Sequence, residues 1–303
     1  MATATGNYVM DNSTLAHFQS WSSAIYNAFI AFGWLQTADA GQAANPVAAV
    51  PSSAYAYWIF KANDAAAATM PIYVKVEVGY SSTIPSIKMT VGTSSDGSGS
   101  ITGQKCTSTP WQITQSGSSV METNQGGTLY PCFFSGDAGE FRMYMWQSTT
   151  QICGTLFAIE RSKDTSGVNT DEYFTALCSA NAVSGYAAVR YQQTVLVGGI
   201  GNLETGILGL AITNNSNTGA ALGTTAAFPV FPVLGKVGNP MLGIMAVCSG
   251  DTADAATVTV LNMYAGTHTA IVVKGSTSSG GFGLSFGQRL LNGGGMAGLM
   301  RYE

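Results

Sequence analysis

Pro71–Gly103, PIYVKVEVGYSSTIPSIKMTVGTSSDGSGSITG, decides the fold class. Ile72, Val74, Val76 and Val78 alternate with Tyr73, Lys75, Glu77 and Gly79, a period of two that places the aliphatic side chains on one face of a strand. Gly79 to Pro85 reads as a loop that reverses the chain. The alternation resumes with Ile87, Met89 and Val91 against Lys88, Thr90 and Gly92. The two runs predict an antiparallel pair with one buried face and one wet face. The tail from Thr93 to Gly103 reads as polar and flexible, outside any core.

Upstream, residues 11–33 form the best helix candidate. Asp11, Asn12 and Ser13 are possible N-caps and Gly33 is a stop signal. Leu15, Phe18, Ser22, Ile25, Phe29 and Phe32 follow the helical period, thickened by Trp21, Tyr26 and Ile30. Such a stripe is first a core-packing face; its other use is contact with a neighbouring subunit. A strand is expected over 55–61, with Tyr57 and Ile59 on one face, and a loop or short helical turn over 63–69.

Downstream, strands are expected at 129–134, 141–146, 152–160, 187–197, 206–213, 242–248, 255–264 and 268–273. In 141–146, Phe141, Met143 and Met145 alternate with Arg142, Tyr144 and Trp146. Phe228 to Gly238 is punctuated by proline and reads as an edge or connecting segment. Residues 274–287 read as a Gly/Ser arm and 288–303 as a short tail. Strands at roughly ten-residue spacing with Gly-rich turns predict an all-β chain, an antiparallel β-sandwich or jelly-roll-like fold with one N-terminal amphipathic helix. The expected units are 1–180, the helix plus a β domain, and 181–303, a second β domain or sheet with a Gly/Ser-rich C-terminal arm; the alternative is a single large all-β domain.

Composition sets the functional frame. Charged residues make up 9% of the 303, against about 25% in an average soluble domain. A surface finished with neutral polar side chains suits either a secreted or viral β-protein or a subunit covered by neighbours. The net charge of −4, with no basic run among 12 Lys and Arg, argues against nucleic-acid binding. Cys106, Cys132, Cys153, Cys178 and Cys248 are odd in number and widely spaced, which fits buried thiols better than disulfides or a zinc site. The opening MATATGNYVMDNST does not have the pattern of a secretion signal, and no run of 18 apolar residues predicts membrane insertion.

Several patterns imitate catalytic motifs. Gly283-Leu284-Ser285-Phe286-Gly287 has the spacing of a nucleophile elbow but follows a Gly/Ser linker and precedes no His. Gly97-Ser98-Gly99 and Gly199-Ile200-Gly201 lack the third glycine of a phosphate loop and read as turns. His17 and His268 are far apart in sequence and bring no spaced carboxylates for a metal. Asp137 with Glu140, and Glu160 with Asp164, are the candidate carboxylate pairs. The plainer reading makes them solvated turn residues, with Glu160 near Arg161 and Lys163. No catalytic, cofactor-binding or metal-binding residue is expected.

Several blocks together resemble a family of structural proteins of tailed bacteriophages. They are the helix followed by Gly33-Trp34 and Gln36-Thr37-Ala38-Asp39, YWIFKANDA (57–65), PIYVKVEVGYSS, TVGTSSDGSGSITG, FAIERSKD (157–164), YAGTH (264–268) and the closing Met300-Arg301-Tyr302-Glu303. The resemblance implies a non-enzymatic virion component, assembled in many copies in the host bacterial cytoplasm. Its implied partners are copies of itself and other virion proteins of the tail or major capsid, with no nucleic acid and no cofactor. A tail, baseplate or fibre-attachment position is the first expectation. Capsid decoration is the second, and a module binding or depolymerising host-surface glycans, with Trp111, Tyr130 and Trp146 as stacking candidates, is the third. The expected contact residues are Phe18, Trp21, Ile25 and Phe29 on the helix, Asp96 in the polar loop, and Phe282, Arg289 and Tyr302 in the C-terminal arm.

Overall fold

In the computed structural model the residues described are 2–9, 14–51, 55–81, 84–107, 111–112, 129–146, 154–163, 168–179, 187–192 and 195–197, with short strands from 231 to 301. In chain order the elements are β1 (Ala2–Val9), α1 (Leu15–Ala31), β2 (Leu35–Gln36), β3 (Ala56–Lys61), a 3-10 turn (Ala65–Ala68), β4 (Tyr73–Ser81), β5 (Ile84–Ser95), β6 (Ile101–Thr107) and β7 (Trp111–Gln112). There follow β8 (Leu129–Asp137), β9 (Glu140–Trp146), β10 (Gly154–Lys163), β11 (Asn169–Ser179), β12 (Ala187–Gln192) and β13 (Val195–Val197). The remaining strands are β14 (Phe231–Pro232), β15 (Gly235–Lys236), β16 (Asn239–Pro240), β17 (Ile244–Cys248), β18 (Thr257–Leu261), β19 (Thr267–Lys274) and β20 (Met296–Arg301).

Among the described residues the chain is antiparallel β with one α-helix, near its N-terminus. A six-stranded sheet runs β2-β3-β4-β5-β6, with β7 also on β5; a seven-stranded sheet runs β1-β8-β9-β10-β11-β12-β13. A five-stranded sheet has the order β14-β17-β20-β19-β18. The first two are meanders in which successive strands are neighbours, apart from β1 and β7, so their order is simpler than the crossed order of a jelly roll.

The β4–β5 hairpin is the predicted pair, and its aliphatic face is buried: Ile72, Val74, Val76, Val78, Ile87, Met89 and Val91 are fully covered. The turn is tighter than expected. Gly79 pairs with Ser86, Tyr80 with Pro85 and Ser81 with Ile84, so the ladder runs through the residues read as a loop. Glycine weakens a strand without ending it, and proline interrupts only the hydrogen bond of its own missing N–H.

The polar tail is corrected as well. β5 continues to Ser95 and β6 returns along it, from Ser95 opposite Ile101 to Thr90 opposite Thr107. Asp96 makes the turn. Its Oδ1 accepts from the backbone N–H groups of Ser98 (2.7 Å) and Ser100 (2.9 Å), while Gly97 and Gly99 take positive φ values of 77° and 95°. A run of Ser, Gly and Asp therefore forms an ordered hairpin, because local side-chain hydrogen bonds replace burial as its support.

α1 begins at Leu15, with Thr14 Oγ1 accepting from the His17 N–H; the expected caps at 11–13 lie outside the described residues. It ends as predicted. Gly33 (φ 92°) donates to Ile30 O and Trp34 donates to Phe29 O, the paired bonds of a Schellman cap, with the Trp34 ring edge-on to Phe29. Phe18, Trp21, Ile25, Ala28 and Phe29 are buried in one core with the inner faces of both large sheets. Phe29 is the joint. Its ring lies parallel to Phe60 of β3 (centroids 4.4 Å) and to Phe141 of β9 (3.7 Å), so one helical residue packs on both sheets. The sandwich is closed around the helix.

Three further expectations change. β12 and β13 pair with each other, and β12 continues the seven-stranded sheet from β11 (Tyr173 opposite Gln192 to Cys178 opposite Ala187). That sheet therefore crosses the expected boundary near residue 180. The short tail holds a strand: β20 lies between β17 and β19. β1, which the sequence did not announce, pairs along its whole length with β8, from Ala2 opposite Gly136 to Val9 opposite Leu129. The expected strand at 206–213 lies outside the described residues.

Candidate functional site

The concentration of chemically capable side chains is at the β8–β9 turn and the strands beside it. Alternation decides which groups meet. On β10, Phe157 and Ile159 face the helix, so Ala158 and Glu160 face the other way, and Arg161 returns to the helix side. Glu160 and Arg161 therefore do not pair with each other, and each finds a partner elsewhere.

On the outer face, Arg142 of β9 is fully buried. Its Nε donates to Glu160 and its Nη2 to Glu140 Oε2 (2.7 Å). The two glutamates are themselves buried, at 1% and 2% exposure. They are not the solvated turn residues the sequence suggested. Burial alone would push the Arg142 guanidinium toward losing its proton, but the Glu160 and Glu140 carboxylates outweigh it and hold the charge above its ordinary range. On the helix side, Arg161 Nη2 donates to Asp64 Oδ1 (2.9 Å), and its Nε lies 2.6 Å from Oδ2. This ties β10 to the loop between β3 and the 3-10 turn. Asn169 Nδ2 lies 3.5 Å from Asp64 and 3.4 Å from Asp137, a loose bridge between the two carboxylates.

The turn itself is locked from three directions. Asp137 Oδ1 accepts from the Gly139 N–H (2.9 Å), Asn63 N–H donates to Ala138 O (2.8 Å), and Trp34 Nε1 donates to Asp137 O (2.9 Å). Gly139 cannot carry a side chain, because a Cβ there would run into Asp64 and the Asn169 amide (2.9 Å).

This arrangement is a clamp. Glycoside hydrolysis needs two carboxylates facing a space that admits the sugar, one of them holding a proton. Glu140 and Glu160 instead share one guanidinium inside the protein. Asp164, the other half of the second candidate pair, lies outside the described residues. A pocket of about 300 Å³ adjoins the clamp, lined by Lys61, Asn63, Asp64, Ala67, Pro71 and Tyr73 among others, but neither glutamate opens into it.

A second polar cluster lies along β3. Thr37 N–H donates to Ile59 O (2.9 Å) and Ala43 N–H to Tyr57 O (3.0 Å), and between them the side chain of Gln42 acts as the missing strand residue. Its Oε1 accepts from the Ile59 N–H (2.8 Å) and its Nε2 donates to Thr37 O (2.7 Å). Nearby Asp39 joins this loop to the β5–β6 hairpin: Ser95 Oγ donates to it at 2.8 Å and the Gly99 N–H at 3.4 Å. Burial raises the Asp39 carboxyl pKa, but hydrogen bonds from Thr37, Ser95, Gly99 and Gly97 outweigh it and leave it below the ordinary value. On the outer face of the same sheet, Glu77 pairs with Lys75 (3.4 Å) and Lys88 (3.2 Å), and Lys75 Nζ sits 4.2 Å above the Tyr57 ring.

Of the expected contact residues, Phe18, Trp21, Ile25 and Phe29 are wholly buried within this chain and present no surface to a neighbour. A stripe that packs on two sheets leaves only a narrow exposed strip, which includes Ile30 at 43% exposure. Asp96 is exposed at the β5–β6 tip, and its Oδ1 is engaged in its own turn. Phe282, Arg289 and Tyr302 lie outside the described residues, as do the Gly283–Gly287 and Gly199–Gly201 look-alikes. Cys132 is a buried thiol whose pKa burial pushes far up. Among the described residues no three His, Cys, Asp or Glu side chains converge as metal ligands, and no described helix is long and apolar enough to cross a membrane. Sequence reasoning missed the Arg142 and Arg161 partners and Gln42. The alternation on β10 was the available signal for the first two; Gln42 carried none.

No family model, curated protein or solved structure matches this chain.

Proposed function

We propose that the chain is a non-enzymatic structural subunit carried on the outside of a tailed-phage particle, at the tail, baseplate or a fibre attachment. The observation that supports this most directly is where the charge goes. The chain has 12 basic and 16 acidic side chains, and Asp39, Glu140, Arg142, Glu160 and Arg161 are buried. Charge is used to tie elements together, so the surface is more neutral than the composition alone implies. A neutral polar surface on a rigid β-scaffold suits a subunit that meets many neighbours, where each unpaired charge taken out of water would oppose assembly. Two of the blocks that carry the phage resemblance also meet in space: Asp64 of YWIFKANDA pairs with Arg161 of FAIERSKD.

The test is electron microscopy of purified particles labelled with gold-conjugated antibody against the chain. Label at a fixed tail position in constant copy number supports the proposal. Label spread over the head moves the chain to capsid decoration. Particles without label, together with retention of the chain on host-surface glycan, would favour the sugar-binding reading.

A further inference from the structure

From the edge of the seven-stranded sheet we infer a self-association site: β1 of one copy pairs antiparallel with β1 of a second copy about a two-fold axis, joining two seven-stranded sheets into one. This goes beyond the particle proposal, and it holds or fails whether or not the chain belongs to a virion.

β1 is the last strand of its sheet. One side of its backbone is used by β8, and among the described residues no other backbone group bonds to it. Ala2, Thr3, Thr5 and Asn7 are exposed. An open strand edge of this kind offers a row of N–H and C=O groups whose natural complement is another extended strand. Natural edges are usually blunted by charge, proline or shortness. β1, ATATGNYV, has none of these: it is 8 residues long, uncharged and free of proline. The other end of its sheet, β13, has 3 residues, β2 and β14 have 2 each, and β6 carries Lys105. β18, TVTVL, is also an uncharged edge free of proline, but at 5 residues it is shorter than β1.

A second copy is the occupant because the strand is complementary to itself. Like charges directly opposite each other destabilise a strand pair, and here there are none to oppose. The faces also fix the register. Ala4 and Tyr8 pack on the core, while Thr3, Thr5 and Asn7 point outward. Residues directly opposite in an antiparallel pair share a face, so a continuous sheet requires odd positions to meet odd and even to meet even. Two registers fit the strand centre, one about Thr5 and one about Gly6. The Tyr8 ring folds back over Gly6, on the spot a Cβ would occupy. Centring on Gly6 would bring two Tyr8 rings together. Centring on Thr5 sets each Gly6 beside Ala4 of the other copy and leaves room for the ring. It also places Thr5 opposite Thr5 and Thr3 opposite Asn7, polar pairs able to hydrogen-bond across the strands. The interface is isologous and closes at two copies.

The test is sedimentation equilibrium of the full chain over a concentration series. Expected are a reversible dimer and, for Thr5→Lys, a dissociation constant raised about tenfold or more, since two ammonium groups then face each other at the axis. Unfolding temperature, measured at a concentration where both proteins are monomeric, should be unchanged, because the side chain is exposed. Thr5→Cys tests the register independently: under mild oxidation it should form a disulfide-linked dimer that the parent chain, with its own cysteines, does not. A parent chain that stays monomeric at several hundred micromolar overturns the inference. So does a dimer indifferent to Thr5→Lys, or one abolished instead by Thr259→Lys on β18.

Discussion

Replacing Phe29 by alanine tests whether one helical side chain couples the two large sheets. The ring is fully buried and parallel to Phe60 (3° between planes) and Phe141 (1°), with Trp34 edge-on at 5.4 Å. Removing a buried phenyl group with partial collapse costs about 3–5 kcal/mol. Each aromatic pair adds about 0.5–1.5 kcal/mol beyond area, and three pairs are lost together, which places Phe29→Ala at or above the top of that range. Phe18→Ala is the control. Phe18 is equally buried, and its ring meets Trp21 on the same helix edge-on (5.1 Å). The expected loss for Phe18→Ala is about 3 kcal/mol, roughly 2 kcal/mol less than for Phe29. Urea unfolding followed by tryptophan fluorescence gives both numbers. Amide exchange supplies the architectural readout: Phe29→Ala should speed exchange in both β3 and β9. A loss below about 2 kcal/mol, or faster exchange confined to one sheet, would refute the wedge argument.

Other expectations follow from the polar clusters. Arg142→Met leaves Glu140 and Glu160 buried without their cation and should cost about 3–5 kcal/mol in chemical denaturation, with much of the loss recovered when both glutamates are also changed to Gln. Gln42→Ala strips the Ile59 N–H of its acceptor and should cost about 1–3 kcal/mol, with accelerated exchange at the Ile59 amide. Asp39 has a folded pKa below its unfolded value of about 3.9. Its stabilising contribution is therefore complete above that pH and is lost as pH falls through the folded value, so Asp39→Asn should flatten the acid side of a stability–pH profile measured from pH 2 to 6. Cys132, buried and with its thiolate disfavoured, should react with a thiol reagent only as fast as the chain unfolds, which a denaturant series of labelling rates will show.

What the sequence revealed was periodicity. The aliphatic alternation at 72–78 and 87–91, the Phe141/Met143 alternation and the helical stripe closed by Gly33 are all one-dimensional signals, and each led to the right element. What it concealed was neighbourhood. Nothing in ATATGNYV says that its partner is LYPCFFSGD, and nothing in the closing residues says that β20 enters between β17 and β19. The clamp was half legible. Alternation alone forbids a Glu160–Arg161 pair, but the partners that replace it, Arg142 and Asp64, come from register and from a loop closing across the core. The hairpin at 96–100 was misread because polarity was taken for flexibility, whereas Asp96 supplies locally the hydrogen bonds that burial supplies elsewhere.

The pairing of β1 with β8 also sets a timetable for synthesis. Val9 waits for Leu129, 120 residues later in the chain. At elongation rates of roughly 5–20 residues per second, that delay is about 6–24 s. During it the six-stranded sheet, complete by residue 112, can form, but one side of its helix has no second sheet to cover it. The N-terminal strand, uncharged and extended, spends the same interval with both edges open. On polysomes, where nascent copies of this chain sit close together, the edge pairing inferred for β1 would have that same interval in which to form.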